Sequence, residues 1–94
     1  MRVIGTGKID DFCQEHKDAC GQVKAWLSEA KHAVWKIPQD VKNRYANASF
    51  LHDNIVIFNI KGNHYRLVVK VTYNTQTVLI KWLGTHAEYD KQKW

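Results

Sequence analysis

The stretch Phe58–Val71, FNIKGNHYRLVVKV, decides the fold. Two apolar runs flank Gly62-Asn63, a pair suited to a two-residue primed turn with glycine at its first central position. Such a turn fixes the pairing of the strands on either side. It sets Lys61 opposite His64, Asn59 opposite Arg66, Ile57 opposite Val68 and Ile55 opposite Lys70. Side chains alternate along a strand, so these eight share one face. Val56, Phe58, Ile60, Tyr65, Leu67, Val69, Val71 and Tyr73 take the other, a continuous apolar face for helices to cover. The hairpin therefore gathers Asn59, Lys61, His64, Arg66 and Lys70 on one side by geometry alone.

A third strand follows at Thr77–Gly84, after Asn74-Thr75-Gln76. A three-residue loop puts Gly84 opposite Arg66, and a two-residue loop puts Thr85 there. The two registers differ over the face taken by Lys81. Both deliver His86 to the Arg66 end of the sheet, with Tyr89 close enough to fold over it. Lys61, His64, Arg66 and His86 are thus expected to converge.

Upstream the period is helical. Ile9, Phe12, Cys13, Ala19 and Cys20 fit one helix face, and Gly21 weakens the run. Val23, Trp26, Leu27, Ala30 and Val34 continue it, giving either a helical hairpin or one kinked helix. Pro38 suits the first turn of a short third helix, with Val41 and Tyr45 inward. Arg2–Ile4 reads as a short first strand and Ser49–His52 as another. Thr6 is a candidate helix cap. The GTGK at Gly5–Lys8 lacks the spacing and the following Ser or Thr of a phosphate loop. The tail THAEYDKQKW has the makings of one helical turn. The expected fold class is α+β: a short N-terminal strand, two to three helices and a three-stranded antiparallel meander, with the helices on one sheet face.

The 94 residues suffice for one domain, 1–94. The formal net charge is +5, and it is uneven. Residues 1–54 hold eight Lys/Arg against seven Asp/Glu, whereas residues 55–94 hold six against two. A basic excess confined to the strands points to an anionic partner, nucleic acid first. The N-terminus has no long apolar run, and no segment approaches the length that spans a bilayer. The expected location is cytoplasmic, with no membrane partner. Cys13 and Cys20, if on one continuous helix, stand about 10 Å apart. That is too far for a disulfide, and too far for one metal ion to reach both sulfurs with His16 between them. They read as small apolar residues on a buried helix face.

The converging patch holds no carboxylate pair, which argues against metal-assisted phosphoryl transfer. No Ser or Cys nucleophile stands near a base. Cations plus groups that move protons suit metal-free RNA cleavage, in which the substrate's own 2′-OH attacks the adjacent phosphate. A non-catalytic RNA- or DNA-binding module using the same basic sheet face is the alternative.

The string NIKGNHYRLVVKV followed by IKWLGTHAEYDK resembles the HigB family of bacterial toxins, within the wider RelE-like group. The similarity extends more weakly upstream through WKIPQDVKNRY. The resemblance implies a RelE-like fold and the toxin of a type II toxin–antitoxin system, cleaving messenger RNA on the translating ribosome without a cofactor or metal. It implies a helix-turn-helix, HigA-like antitoxin, with operator DNA bound only through the complex. The GN-x-x-R motif makes Arg66 the candidate for the scissile phosphate. The T-H-x-x-Y motif offers His86 and Tyr89 as acid, base or orienting groups. Histidine titrates near neutrality and suits either proton role. Lys61, His64, Lys70 and Lys81 are the candidate RNA-binding residues.

Overall fold

The computed structural model describes residues 1–92 of the chain, so Trp94 lies outside the described residues. Five strands form one mixed sheet: β1 (Arg2–Ile4), β2 (Ser49–Phe50), β3 (Ile55–Ile60), β4 (Tyr65–Thr72) and β5 (Thr77–Thr85). Their spatial order is β1-β5-β4-β3-β2. The helices are α1 (Gly7–Glu15), α2 (Lys17–His32), α3 (Pro38–Arg44) and α4 (His86–Tyr89).

The antiparallel β3–β4–β5 meander is present, but it is the centre of a larger sheet. β1 adds to β5 in parallel, with Arg2 paired to Thr77 and Ile4 to Leu79. β2 adds to the other edge, antiparallel to β3. A three-residue and a two-residue strand carry too little pattern to reveal their pairing before the fold is assembled. Both edges of the sheet are short, which limits strand addition by other chains.

The hairpin register is the expected one, with Ile55 on Lys70, Ile57 on Val68 and Asn59 on Arg66. At the turn, Gly62 takes positive φ (65°), and so does Lys61 (51°). Lys61 therefore leaves the strand direction before the turn, and the ladder closes at Ile60–Tyr65.

The β4–β5 register combines two features. Near the loop, Thr72 pairs with Thr77 and Val69 with Ile80. A β-bulge between Val68 and Val69 then shifts the register, so that Val68 meets Trp82 and Arg66 meets Gly84. This end matches the three-residue-loop expectation, reached through a longer loop and one extra residue, Lys81. Without the bulge, strict alternation would put Trp82 on the same face as Val78 and Ile80. With it, Leu83 packs with the helix-covered core, and Trp82 joins the opposite face. One inserted residue thus re-aims a tryptophan, as bulges commonly do.

The main core fills the helix-covered face. Val56, Phe58, Ile60, Leu67, Val69, Val71, Val78 and Ile80 meet Ile9, Phe12, Ala19, Val23, Trp26, Ala30 and Val41. Trp26 and Tyr45 both pack on Phe58, at ring-centroid distances of 5.3 and 5.0 Å. Such aromatic pairs add about 0.5–1.5 kcal/mol each beyond burial. α3 starts on Pro38, where no backbone N–H is needed. Asp40 accepts from the backbone N–H groups of Lys36 and Ile37, closing its first turn. A second, smaller cluster of Ile55, Ile57 and Val68 lies on the outer face under Trp82 and Tyr89.

The helical break falls at His16, not at Gly21, which is inside α2. His16 has φ −131° and ψ 69°, outside the helical region. The break brings Cys13 and Cys20 to a Cα separation of 4.8 Å, and they form a disulfide. The expectation of two unpaired cysteines assumed a helix continuous through residue 16. Thr6 precedes α1 but makes no side-chain capping bond. Among the described residues, no helix is long and apolar enough to cross a membrane.

Candidate RNA-facing site

The site is assembled where β4, β5 and α4 meet. Tyr65 pairs with Thr85, and the His86 backbone N–H donates to the His64 carbonyl at 3.0 Å. The two histidines are thus neighbours across the ladder, one step beyond Tyr65–Thr85 and two beyond Arg66–Gly84. Thr85 then turns the chain into α4. Its hydroxyl accepts from the Glu88 N–H at 3.1 Å, and Glu88 accepts from the Thr85 N–H at 2.9 Å. This reciprocal cap satisfies donors at both positions. The Thr85 backbone N–H, followed by its hydroxyl, holds the Glu88 carboxyl below its usual range.

α4 lays Tyr89 against the Arg66 side chain. The guanidinium carbon lies 4.6 Å from the Tyr89 ring centroid, a cation–π contact. Tyr89 in turn packs on Trp82 at 6.1 Å. Beneath that stack lies Gly84. A Cβ at residue 84 would stand 2.8 Å from two carbons of the Trp82 ring, so only glycine leaves the ring its place. Arg66 is half-buried, and its Nε is buried without a hydrogen-bond partner among the described residues. No carboxylate among the described residues forms an ion pair with it. A guanidinium fixed on an aromatic ring and free of carboxylates among the described residues is a ready receptor for a phosphate.

His86 has a carboxylate neighbour: Asp90 Oδ2 lies 3.3 Å from its Nδ1, one helical turn on. A carboxylate there can accept an N–H from Nδ1 and orient the ring. Asp90 was not singled out from the sequence, although the i, i+4 spacing in HAEYD was the available signal. Trp82 and Gly84 were missed because their roles depend on the bulge.

The other expected residues are spread more widely. His64 joins the cluster through its backbone contact with His86. Lys70 is on the Arg66 strand face but four residues along, about 13 Å away. Lys81, the bulge residue, lines a cleft of about 260 Å³ between α1 and β5, with Lys8, Phe12, His16 and Trp82. Lys61 does not converge with Arg66. Its positive φ turns it toward α2, where Nζ donates to Asp18 Oδ2 at 2.8 Å. Asp18 also accepts from the Tyr65 hydroxyl, at 3.1 Å to each oxygen. The Lys61 hydrogen bond is the main reason the Asp18 carboxyl is held below its ordinary range, and Asp18 raises Lys61 in return.

A small mixed-sheet domain with one helix-covered face and a cationic, histidine-bearing far end has the form of a RelE-like toxin. A family model described as HigB toxin, the RelE-like toxic component of a toxin–antitoxin system, matches residues 19–92. The chain belongs to this family and so has an antitoxin as its partner. No curated protein matches it.

Proposed function

We propose that the protein is a ribosome-dependent messenger RNA endoribonuclease working without a metal, neutralised by a HigA-like helix-turn-helix antitoxin. One observation carries the reading. Arg66 is stacked on Tyr89 and lacks a carboxylate partner among the described residues, while His64 and His86 stand two residue pairs away along the ladder.

In this reaction a base removes the 2′-OH proton, and the oxygen attacks the adjacent phosphorus. An acid protonates the departing 5′ oxygen, leaving a 2′,3′-cyclic phosphate. Arg66 grips the non-bridging oxygens and stabilises the charge that builds on them. His86, oriented by Asp90, supplies one proton-transfer group, with His64 the nearest candidate for the other. Tyr89 holds the guanidinium in position and offers a hydroxyl to the same phosphate. Lys70 and Lys81 bind flanking phosphates, and operator DNA is bound only through the antitoxin complex.

The test is cleavage of end-labelled messenger on programmed ribosomes and free in solution, by wild type and by His86→Ala. Cuts confined to ribosomes and lost in the variant are expected. RNA binding without any cleavage by wild type would leave a non-catalytic binding module instead.

A further inference from the structure

The Cys13–Cys20 bond requires the break at His16. In an uninterrupted helix the two Cα atoms would stand about 10 Å apart, against the 4.8 Å observed. Nothing in the intervening sequence forces a break, since Gln14 to Ala19 includes neither proline nor glycine. The covalent bond is therefore the strongest constraint on the bend, helped by the burial of Ile9 and Phe12 on α1.

What the bent segment holds is the site-bearing hairpin. Phe12 and His16 pack on the Tyr65 ring at 5.3 and 4.9 Å. Asp18 takes hydrogen bonds from the Lys61 ammonium and the Tyr65 hydroxyl. Gln22 Oε1 accepts from the Lys61 backbone N–H at 2.6 Å. These contacts grip residues 61–65, the turn that leads directly into Arg66. The Lys61–Asp18 pair is well exposed, at 42% and 48%. Exposed pairs are weak by themselves, so this one depends on Asp18 being held at the right place.

We propose that Cys13–Cys20 is a thiol-redox control site. The disulfide braces the hairpin and keeps Lys61 on Asp18; its reduction releases Lys61 to bind RNA phosphate. The inference rests on the ribonuclease reading for the identity of the ligand. Cys13 and Cys20 are both partly exposed residues, and the reaction partner is a dithiol reductant. A thiolate of the reductant attacks one sulfur, giving a mixed disulfide and freeing the other cysteine as a thiol. The second reductant thiol then displaces the first, so two electrons and two protons end on Cys13 and Cys20 and the reductant leaves as a disulfide.

The test compares air-oxidised and dithiothreitol-reduced protein, with free thiols counted in each. The probe is a fluorescent 2′-O-methyl RNA oligonucleotide, which has no attacking hydroxyl. Reduced protein should bind several-fold more tightly. Its log affinity should fall with log salt more steeply by about 0.7, the slope of one added single-strand phosphate contact. Cys13→Ser/Cys20→Ser should bind like reduced protein in either condition, and Lys61→Ala should erase the difference between redox states. Amide hydrogen exchange at residues 61–64 should speed up on reduction. Free thiols in the oxidised sample, unchanged exchange, or a redox difference that survives Lys61→Ala would each overturn the proposal. Faster exchange on reduction with no RNA binding in either state would keep the brace and sink the RNA reading.

Discussion

Arg66 and Gly84 face each other across β4 and β5, and the cationic end depends on both. Arg66→Ala should lower ribosome-dependent cleavage by at least about 100-fold, the scale on which charge-stabilising donors act. Antitoxin binding should be nearly unchanged, and a pull-down alongside the cleavage assay checks both. Gly84→Ala acts indirectly. Its methyl group would intrude on the Trp82 ring, and relief requires the ring to move from Tyr89. Overpacking of this kind costs about 1–3 kcal/mol, readable by urea unfolding. A third residue-scale effect lies away from the site. Glu29 accepts from the Tyr45 hydroxyl and from Arg44, and these bonds, Tyr45 first, hold its carboxyl below the usual range. A depressed carboxyl stabilises the fold above its unfolded pKa and loses that contribution as pH falls through the folded value. Wild type should therefore exceed Glu29→Gln in stability at neutral pH, and the gap should close below about pH 4. A gap that persists at pH 2 would exclude ionisation of Glu29 as its source.

At the level of elements, the hairpin was the most legible part, and for a simple reason. A short turn and a two-residue period leave one register that buries an apolar face, and Asn59–Arg66 and Ile57–Val68 obey it. The bulge on β5 was not legible, because Lys81 could be assigned to either face until the loop length was known. Deleting Lys81 should remove the bulge and restore unbroken alternation while leaving Trp82 outward and Leu83 on the core face, because Ile80 would then be followed directly by Trp82. Folded protein with unchanged Trp accessibility to acrylamide is expected; a Trp82 that becomes protected would show that the bulge does not set its face. The bend between α1 and α2 was also hidden. The sequence between the cysteines is compatible with helix, and only a cross-link visible in three dimensions explains why it stops at His16. Reduction should lower stability by about 2–3 kcal/mol, the loop-closure expectation for so short a ring. Matched urea melts with and without dithiothreitol would measure it.

For the whole molecule, the uneven charge of the sequence proved a fair guide to where the cations lie, yet not to how they are used. Of the residues expected to converge, Arg66, His64 and His86 do, while Lys61 is turned away and tethered to Asp18. Charge counting cannot see such a tether, because Asp18 lies 43 positions from Lys61 in sequence. Asp90 beside His86 was overlooked for the opposite reason: one acid in a basic tail looks like solvated surface. In reducing compartments generally, disulfides are uncommon as structural features and are more often transient or redox-sensing.

The pairing of β1 with β5 has a further consequence, in the order of events during folding. Arg2 and Thr77 are 75 positions apart, whereas the β3–β4 hairpin closes over four residues. Loop closure alone makes the distant pairing costlier by about 2.5 kcal/mol. β1 is thus expected to dock after the β3–β4 hairpin has formed. A growing chain would hold β1 unpaired until β5 had been made, and the cationic end would wait for α4, which follows β5 in the chain.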